Sequence, residues 1–498
     1  MNNGNINNNN KTNTNRVRPV ARVLESATPQ VVYDIPFSSI IEAWIDCERN
    51  KRTSNSCTKF RWHAARDLVE LWQQMRTGQY TPHASMVFIV TYPVLREVWA
   101  GAFRDRVVHH WEHLRYQPVL ENYFILAGDR SMNCRKGYGS LRAVDFMKKA
   151  ILEFTEGYTR GDCWIIGGDF SNFFLGIDKD ILWPALEHII MDEYTQADKS
   201  ALLYMMRTTL YHRCQDNYFR KSPISMWDFL PKRKSLFYMH GIPIGNLPSQ
   251  NWANFLGAIF TMWLIYAKQI EGFMIFVDDW RCLVRTEEEG RKLITEIKEY
   301  LATELHITLH PDKIYLQHYT KGTKMVGAVI KPPCYKPHHV KFLRKWMLRG
   351  LSRKPVVPRK FCKFLISAFR HDIMPKPLHN SRTYISNRTR GHFIDTMMKY
   401  KKLAECTNEK GRIALLEKLR ASVNSYLGMM IHFNSYRIRK RIAEEWILPT
   451  WGKYIYFSEN FASLKIKKAY DRNVILRHKL KNHRFAAKFI RPKWQGEQ

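Results

Sequence analysis

The stretch FMIFVDDWRCLV, Phe273 to Val284, sets two aspartates side by side between two apolar runs. Each flank has the β-prone side chains of a strand, and a two-residue gap between them is hairpin length. The favoured fillers of such a gap are Asn-Gly, Asp-Gly or Gly-Gly, because both turn positions take positive φ. Asp-Asp is a poor turn by that measure and a worse one electrostatically, since neighbouring carboxylates repel and raise each other's pKa. Taken alone, the pair reads as a solvated turn on an edge hairpin. The alternative is a place where a cation sits, and that reading needs a third carboxylate from elsewhere in the chain.

The strand-like CWIIGGDF, Cys163 to Phe170, supplies one in Asp169. A carboxylate at the end of a buried strand can meet the tip of a neighbouring hairpin in the same sheet. Asp169, Asp278 and Asp279 are therefore expected to converge around two Mg²⁺ ions. Hard cations want oxygen ligands, and a two-metal site stabilises both the attacking and the leaving oxygen of a phosphoryl transfer.

Composition narrows the substrate. The chain has 498 residues and a formal net charge of +34, with 45% hydrophobic and 13% aromatic residues. That suits two to four domains with a real core, and a charge surplus of this size calls for a polyanion. A membrane partner is not expected. The longest apolar run, Ala253 to Ala267, falls short of the roughly 18–20 residues of a spanning helix. The opening MNNGNINNNNKTNTNR has no apolar segment, so no secretory signal is expected. Nine cysteines without a C-x-x-C pair indicate neither a disulfide framework nor a zinc site, which fits a reducing, cytoplasmic setting.

Along the chain, residues 1–28 are an asparagine-rich tract that cannot build a core. Helical patterns with short strands such as MVFIVTYP fill 29–160. Residues 161–331 alternate strands and helices, including the DD hairpin and the helix in TEEEGRKLITEIKEYLATEL. Beyond Pro332 the chain is rich in Lys and Arg, with a helical stretch at EKGRIALLEKLRASVNSYLGMMIHF. Residues 456–498 are densely basic with interspersed aromatics, a composition suited to nucleic-acid backbone. The alternation of helices and strands predicts an α+β fold.

The blocks GDFSNFFLGID, GIPIGNLPSQNWANF, FVDD, LHPDKIYLQ and KGTKMVGAVI resemble, in order and spacing, the palm of reverse transcriptases, over about Arg104 to Val329. Within that superfamily the chain is most similar to the reverse transcriptases of diversity-generating retroelements. Their pattern has a hydrophobic residue before the Gly of the second palm block, followed by Ser-Gln. This chain reads Ile244-Gly245-Asn246-Leu247-Pro248-Ser249-Gln250, and WDFLPKRKSLF, YISNRT and SYLGMMIHFNSYRIRKR also look like that family.

The resemblance implies a right-hand polymerase. Fingers would occupy 29–160, a palm of antiparallel sheet packed on helices 161–331, and a helical thumb 332–455, with an addition from about 336 to 382. It implies that Asp169, Asp278, Asp279 and the carbonyl of Phe170 hold the metals, with Asp279 more a supporter than a strong ligand. Phe174 would exclude a 2′-hydroxyl and so select dNTPs. Ile244 and Gly245 would lie against the nascent base pair, and Ser249, Gln250 and Asn254 would contact nucleotide or template. Lys313 would protonate the pyrophosphate leaving group, and Arg135 and Lys136 would grip the triphosphate. An aliphatic side chain at Ile244 offers shape but no hydrogen bond, which weakens discrimination and predicts an error-prone copier.

The implied partners are an RNA template, a DNA or RNA primer, dNTPs and a basic accessory protein, in a bacterial or phage setting. The sequence departs from the pattern at Phe276, where Tyr is usual, at Trp280, and at Met325-Val326, where Phe-Leu is common. No RNase H carboxylate set or nuclease motif is found in the remainder. A retron, intron-like or phage-defence reverse transcriptase is the alternative enzyme, although Ile244 and Ser249-Gln250 argue against the intron type. An inactive RNA-binding scaffold is the non-enzymatic one, and it has no need for a repulsive DD pair.

Overall fold

The computed structural model describes residues 32–332 and 382–471, apart from 50, 53, 92, 93 and 159. The asparagine-rich tract, nearly all of the addition at 336–382 and residues 472–498 of the basic segment lie outside the described residues. The fold is α+β, as the alternation of patterns predicts.

The order begins with helices α1 (Phe37–Glu48) and α2 (Asn55–Arg76), then strands β1 (Ser85–Val90) and β2 (Arg96–Ala100). Next come α3 (Phe103–Leu126), α4 (Ser140–Phe154), β3 (Trp164–Asp169), α5 (Phe173–Gly176), α6 (Lys179–Glu193), α7 (Lys199–Tyr211) and β4 (Tyr218–Arg220). After α8 (Leu247–Met262) follow β5 (Phe273–Phe276), β6 (Asp279–Val284), α9 (Glu287–Thr303), β7 (Tyr315–His318), β8 (Thr323–Met325), β9 (Ala328–Lys331) and β10 (Arg382–Ile385). Helices Asn387–Glu405 and Glu409–Met430 lead the last part, which packs its own core of Phe393, Leu419, Val423 and Trp451. Among the described residues no helix is long and apolar enough to cross a membrane.

A four-stranded antiparallel sheet, ordered β5-β6-β3-β7, lies at the centre. Side chains alternate between its faces. Ile165, Met274 and Leu283 meet Val144, Met147 and Ile151 of α4 on one side. Ile166, Ile275 and Trp280 join Phe260 of α8 and Leu293 and Ile297 of α9 on the other. The helix α9 starts where the sequence says it should, because Thr286 and Glu289 form a capping box, and Glu287 and Glu288 add negative charge to the same first turn.

The two glycines of CWIIGGDF have a steric reason. A Cβ on Gly168 would lie 2.1 Å from the ring of Trp280, and one on Gly167 would lie 2.2 Å from the ring of Tyr315. Two rings thus occupy the places of the missing side chains. Trp280, unusual in the sequence, is a fully buried core residue 5.7 Å from Phe260.

Two smaller sheets flank this centre, β2-β1-β4 and β10-β9-β8. The β8–β9 turn, Val326-Gly327, has positive φ at both positions (38° and 82°), as a two-residue hairpin turn of the primed type requires. The YISNRT segment pairs onto this hairpin through β10. The amide of Ser386 donates to the Gly327 carbonyl at 2.8 Å, and the Thr389 hydroxyl donates to it at 3.3 Å.

Candidate active site

The hairpin turns one residue earlier than its sequence suggests. Phe276 pairs with Asp279, so the turn is Val277-Asp278 and Asp279 opens β6. Val277 takes the positive φ, 61°, which is costly for a β-branched residue. Its amide donates to Oδ1 of Asn133 at 2.8 Å, a tether that nothing in the sequence singled out. The carbonyl of Asp278 accepts the amide of Phe170 at 3.1 Å, fastening the turn to the end of β3.

Asp169 and Asp279 are direct cross-strand partners, so their side chains stand on one face of the sheet. The loop ahead of β7 is laced to the same end. The His310 amide donates to the Asp169 carbonyl at 2.8 Å, and the Ser171 amide donates to the Thr308 carbonyl at 2.8 Å. That lacing delivers Lys313, whose Nζ donates to Oδ1 of Asp169 at 2.7 Å. Residues 144 positions apart in sequence therefore share one corner.

The charges there are not equivalent. Burial, and then the neighbouring Asp169, push the Asp278 carboxyl up to about 6. Burial also raises Asp279, but Arg281 opposes the shift. Arg281 lies two residues on, hence on the same face, and donates from Nη1 to Oδ1 of Asp279 at 2.5 Å. It also donates to the Trp280 carbonyl at 2.6 Å and, through Nε, to the Lys324 carbonyl at 3.1 Å. Its guanidinium is buried beside the Tyr315 ring, 5.4 Å from the centroid. Sequence reasoning missed Arg281, although its i+2 spacing from Asp279 on a strand was the available signal.

Asp169 and Asp279 each have a counter-charge, but the Arg281 on Asp279 is buried and the Lys313 on Asp169 is half exposed. Asp279 is therefore the more supporting of the three carboxylates, and Asp169 and Asp278 are the freer pair. Among the described residues no group of three or more His, Cys, Asp or Glu side chains is arranged to hold a metal ion. Two carboxylates and a nearby carbonyl nevertheless suit Mg²⁺, which keeps several waters and is bound through one or two carboxylates plus substrate phosphates. The donor set fits that ion better than a dedicated protein cage would.

The raised Asp278 carboxyl has a stability consequence in magnesium-free buffer. The folded state holds this proton more tightly than the unfolded chain, where Asp titrates near 3.9, so stability falls as pH rises from about 4 through about 6. Asp278→Asn removes that loss. The variant is expected to exceed wild type at pH 7.5 by at most about 3 kcal/mol, with the difference gone below pH 4. Thermal melts with a chelator at the two pH values check it.

Of the remaining expected residues, Phe170 puts its ring in the core, 4.9 Å from Phe173 and 5.9 Å from Phe260. Phe174 is half-buried in α5, and its carbonyl accepts the Ile242 amide at 2.8 Å. That bond ties α5 to the segment carrying Ile244 and Gly245. The carbonyl of Ile244 accepts the Trp99 amide at 2.8 Å. Gly245 has φ 120°, and a Cβ there would sit 2.5 Å from the Trp99 carbonyl, so no side chain fits. In the first turn of α8, Ser249 is buried and Gln250 exposed.

Two expected contact residues are already occupied. Asn254 is 2% exposed; its Oδ1 accepts the Ser131 hydroxyl and its Nδ2 donates to the Asn133 carbonyl at 3.2 Å. It holds the turn that tethers Val277, and its burial keeps it from a nucleotide's reach. Arg135, with a side chain 1% exposed, is paired to Glu121 at 2.6 Å and Asp129 at 2.8 Å and lies 3.8 Å from the Tyr138 ring centroid. It therefore braces its own turn rather than gripping a triphosphate, while Lys136 beside it is exposed. Arg135→Met is expected to cost about 1–2 kcal/mol by urea unfolding, because Glu121 loses its buried guanidinium partner while Asp129 keeps Arg142 and the Tyr138 hydroxyl. Lys136→Ala should stay within about 0.5 kcal/mol of wild type.

No family model matches the chain, and no curated protein does. Among solved structures, the chain is similar to an apo telomerase from Candida tropicalis truncated from its C-terminal domain, at 12% identity and a TM-score of 0.37. That match covers 50% of this chain and 53% of the other. It is also similar to a telomerase from Candida albicans in complex with a fragment of telomeric RNA, at 11% identity and a TM-score of 0.36, over 75% of this chain and 63% of that one. The chain thus spans only part of the length of both. At this level of likeness, the chemistry has to be read from the chain's own residues.

Proposed function

We infer that this chain is an RNA-directed DNA polymerase that copies a template-repeat RNA into adenine-mutagenised cDNA for a diversity-generating retroelement. The observation that carries the reading is one corner of the central sheet. There Asp169 stands opposite Asp279, Asp278 forms the adjoining turn, and Lys313 donates to Asp169. These are the residues that the palm resemblance selects.

In this reading 161–331 is the palm, and Asp169, Asp278 and the Phe170 carbonyl would hold two Mg²⁺ ions. When bound, such ions stabilise the charge that develops on the attacking and leaving oxygens of phosphoryl transfer. Lys313 gives a proton to the departing pyrophosphate, and Phe174 closes the space a 2′-hydroxyl would need. Asp279 and Arg281 fix the strand on which Asp278 turns. Template RNA, a primer and dNTPs are the substrates, a basic accessory protein is the partner, and the cytoplasm is the setting.

The subtype rests on Ile244 beside Gly245, where an aliphatic side chain supplies apolar contact and no hydrogen bond to the base pair. Primer extension on a defined RNA template, followed by cDNA sequencing, tests it. Wild type is expected to concentrate errors opposite template adenines. Ile244→Gln should lower them about fivefold, the worth of one net hydrogen bond. Faithful wild-type cDNA would leave a polymerase of another type.

A further inference from the structure

The segment from 221 to 240, which contains the WDFLPKRKSLF stretch, has no part in the active site described above. It is a chain of tight turns: the Leu230 amide donates to the Trp227 carbonyl at 3.0 Å, Lys234 to Pro231 at 2.8 Å, Ser235 to Lys232 at 3.1 Å and Tyr238 to Ser235 at 3.1 Å. One buried carboxylate anchors it. Glu97 of β2 accepts the Trp227 indole N–H at 3.1 Å, the Ser235 hydroxyl at 2.7 Å and the Leu236 amide at 2.9 Å. Leu230 and Leu236 point into the protein.

What this rigid base turns outward is unusual. Phe229 is 77% exposed and Tyr238 is 61% exposed. Lys232 places its ammonium 5.5 Å from the Tyr238 ring centroid, next to exposed Arg233 and half-buried Lys234. Asp228 is the single acid between 218 and 240, while Asp178 and Asp180 at the start of α6 line the cavity beside Tyr238. A fold that buries Leu230 and Leu236, and half-buries Trp227, but leaves two rings in water needs a reason. Positive charge beside exposed ring faces is the chemistry of a strand whose bases are unstacked and free. Duplex hides its base faces, and an acidic protein would gain from the lysines but not from the bare rings.

We propose that Phe229 and Tyr238, with Lys232 and Arg233, form a docking surface for single-stranded RNA on the segment that Glu97 anchors to the β1–β2–β4 sheet. The rings stack on bases, and the cations neutralise the phosphates between them. The choice of RNA over other single strands rests on the polymerase reading; the surface itself does not.

The test uses the full chain without dNTPs or metal. A 4-thiouridine-containing oligouridine 20-mer is photo-crosslinked and the adducts are mapped, and the same RNA is titrated by fluorescence anisotropy at several salt concentrations. Adducts on Phe229 or Tyr238 are expected. The Phe229→Ala, Tyr238→Ala pair should weaken binding about tenfold or more with an unchanged salt slope. Lys232→Ala with Arg233→Ala should flatten the slope by about 1.4, since each lost single-strand contact is worth about 0.7. Phe229→Trp keeps a ring and should keep affinity, which separates stacking from misfolding. Unchanged affinity in the alanine pair, equal loss in Phe229→Trp, or equal competition by A-form duplex RNA or polyglutamate would overturn the proposal. An inactive wild-type enzyme that still loses RNA in the alanine pair removes the polymerase reading and keeps this surface. A working polymerase indifferent to the pair does the reverse.

Discussion

Arg281→Ala is expected to destabilise the protein by about 3–5 kcal/mol, the cost of breaking a buried ion pair from one side. The reason is local. Asp279 would be left buried beside Asp278 and Asp169 with its guanidinium partner gone, and the Lys324 carbonyl would lose a donor that links β6 to β8. Replacing both partners with apolar residues, Arg281→Met with Asp279→Leu, should recover most of that stability, because nothing charged is then left unpaired. Urea unfolding in magnesium-free buffer reads both. A loss below 1 kcal/mol in the single variant would mean that Asp279 is solvated and needs no counter-ion.

The second large effect is on activity, and it should divide the three aspartates. Asp169→Asn and Asp278→Ala are each expected to slow nucleotide incorporation about a thousandfold or more, since each removes a group placed where charge develops. Asp279→Asn should cost far less, roughly tenfold, because its carboxylate is held by the buried Arg281 and acts through strand position, whereas Asp169 has only the half-exposed Lys313. Single-turnover incorporation of one dNTP measures all three. Equal losses across the set would show that Asp279 acts on the substrate directly.

The sequence carried more of this site than of its supports. Asp169 at a strand end and the DD hairpin were legible because strand patterns and a two-residue gap are local signals. The exact turn was not: a hairpin reading favours residues that tolerate positive φ, yet Val277 takes it, held by Asn133 from 144 residues away. Lys313 was readable as part of HPDK but not its bond to Asp169, which depends on the loop being laced to β3. Arg135 and Asn254 show the opposite limit. In so basic a chain a basic turn reads as a phosphate grip. Only the surrounding Glu121 and Asp129, and for Asn254 the facing Ser131, reveal that the polar atoms are already used. Trp280 stands out in the sequence, and its reason lies across the ladder at Gly168, whose missing side chain makes room for the ring.

The most direct test of the central claim is extension of a DNA primer on an RNA template by the full chain with Mg²⁺ and dNTPs, its cognate RNA and accessory protein present. Wild type is predicted to make labelled cDNA and Asp278→Ala to make none, while both bind the RNA equally well. RNA binding by wild type without any extension would contradict the account and leave a scaffold that carries a polymerase corner it does not use.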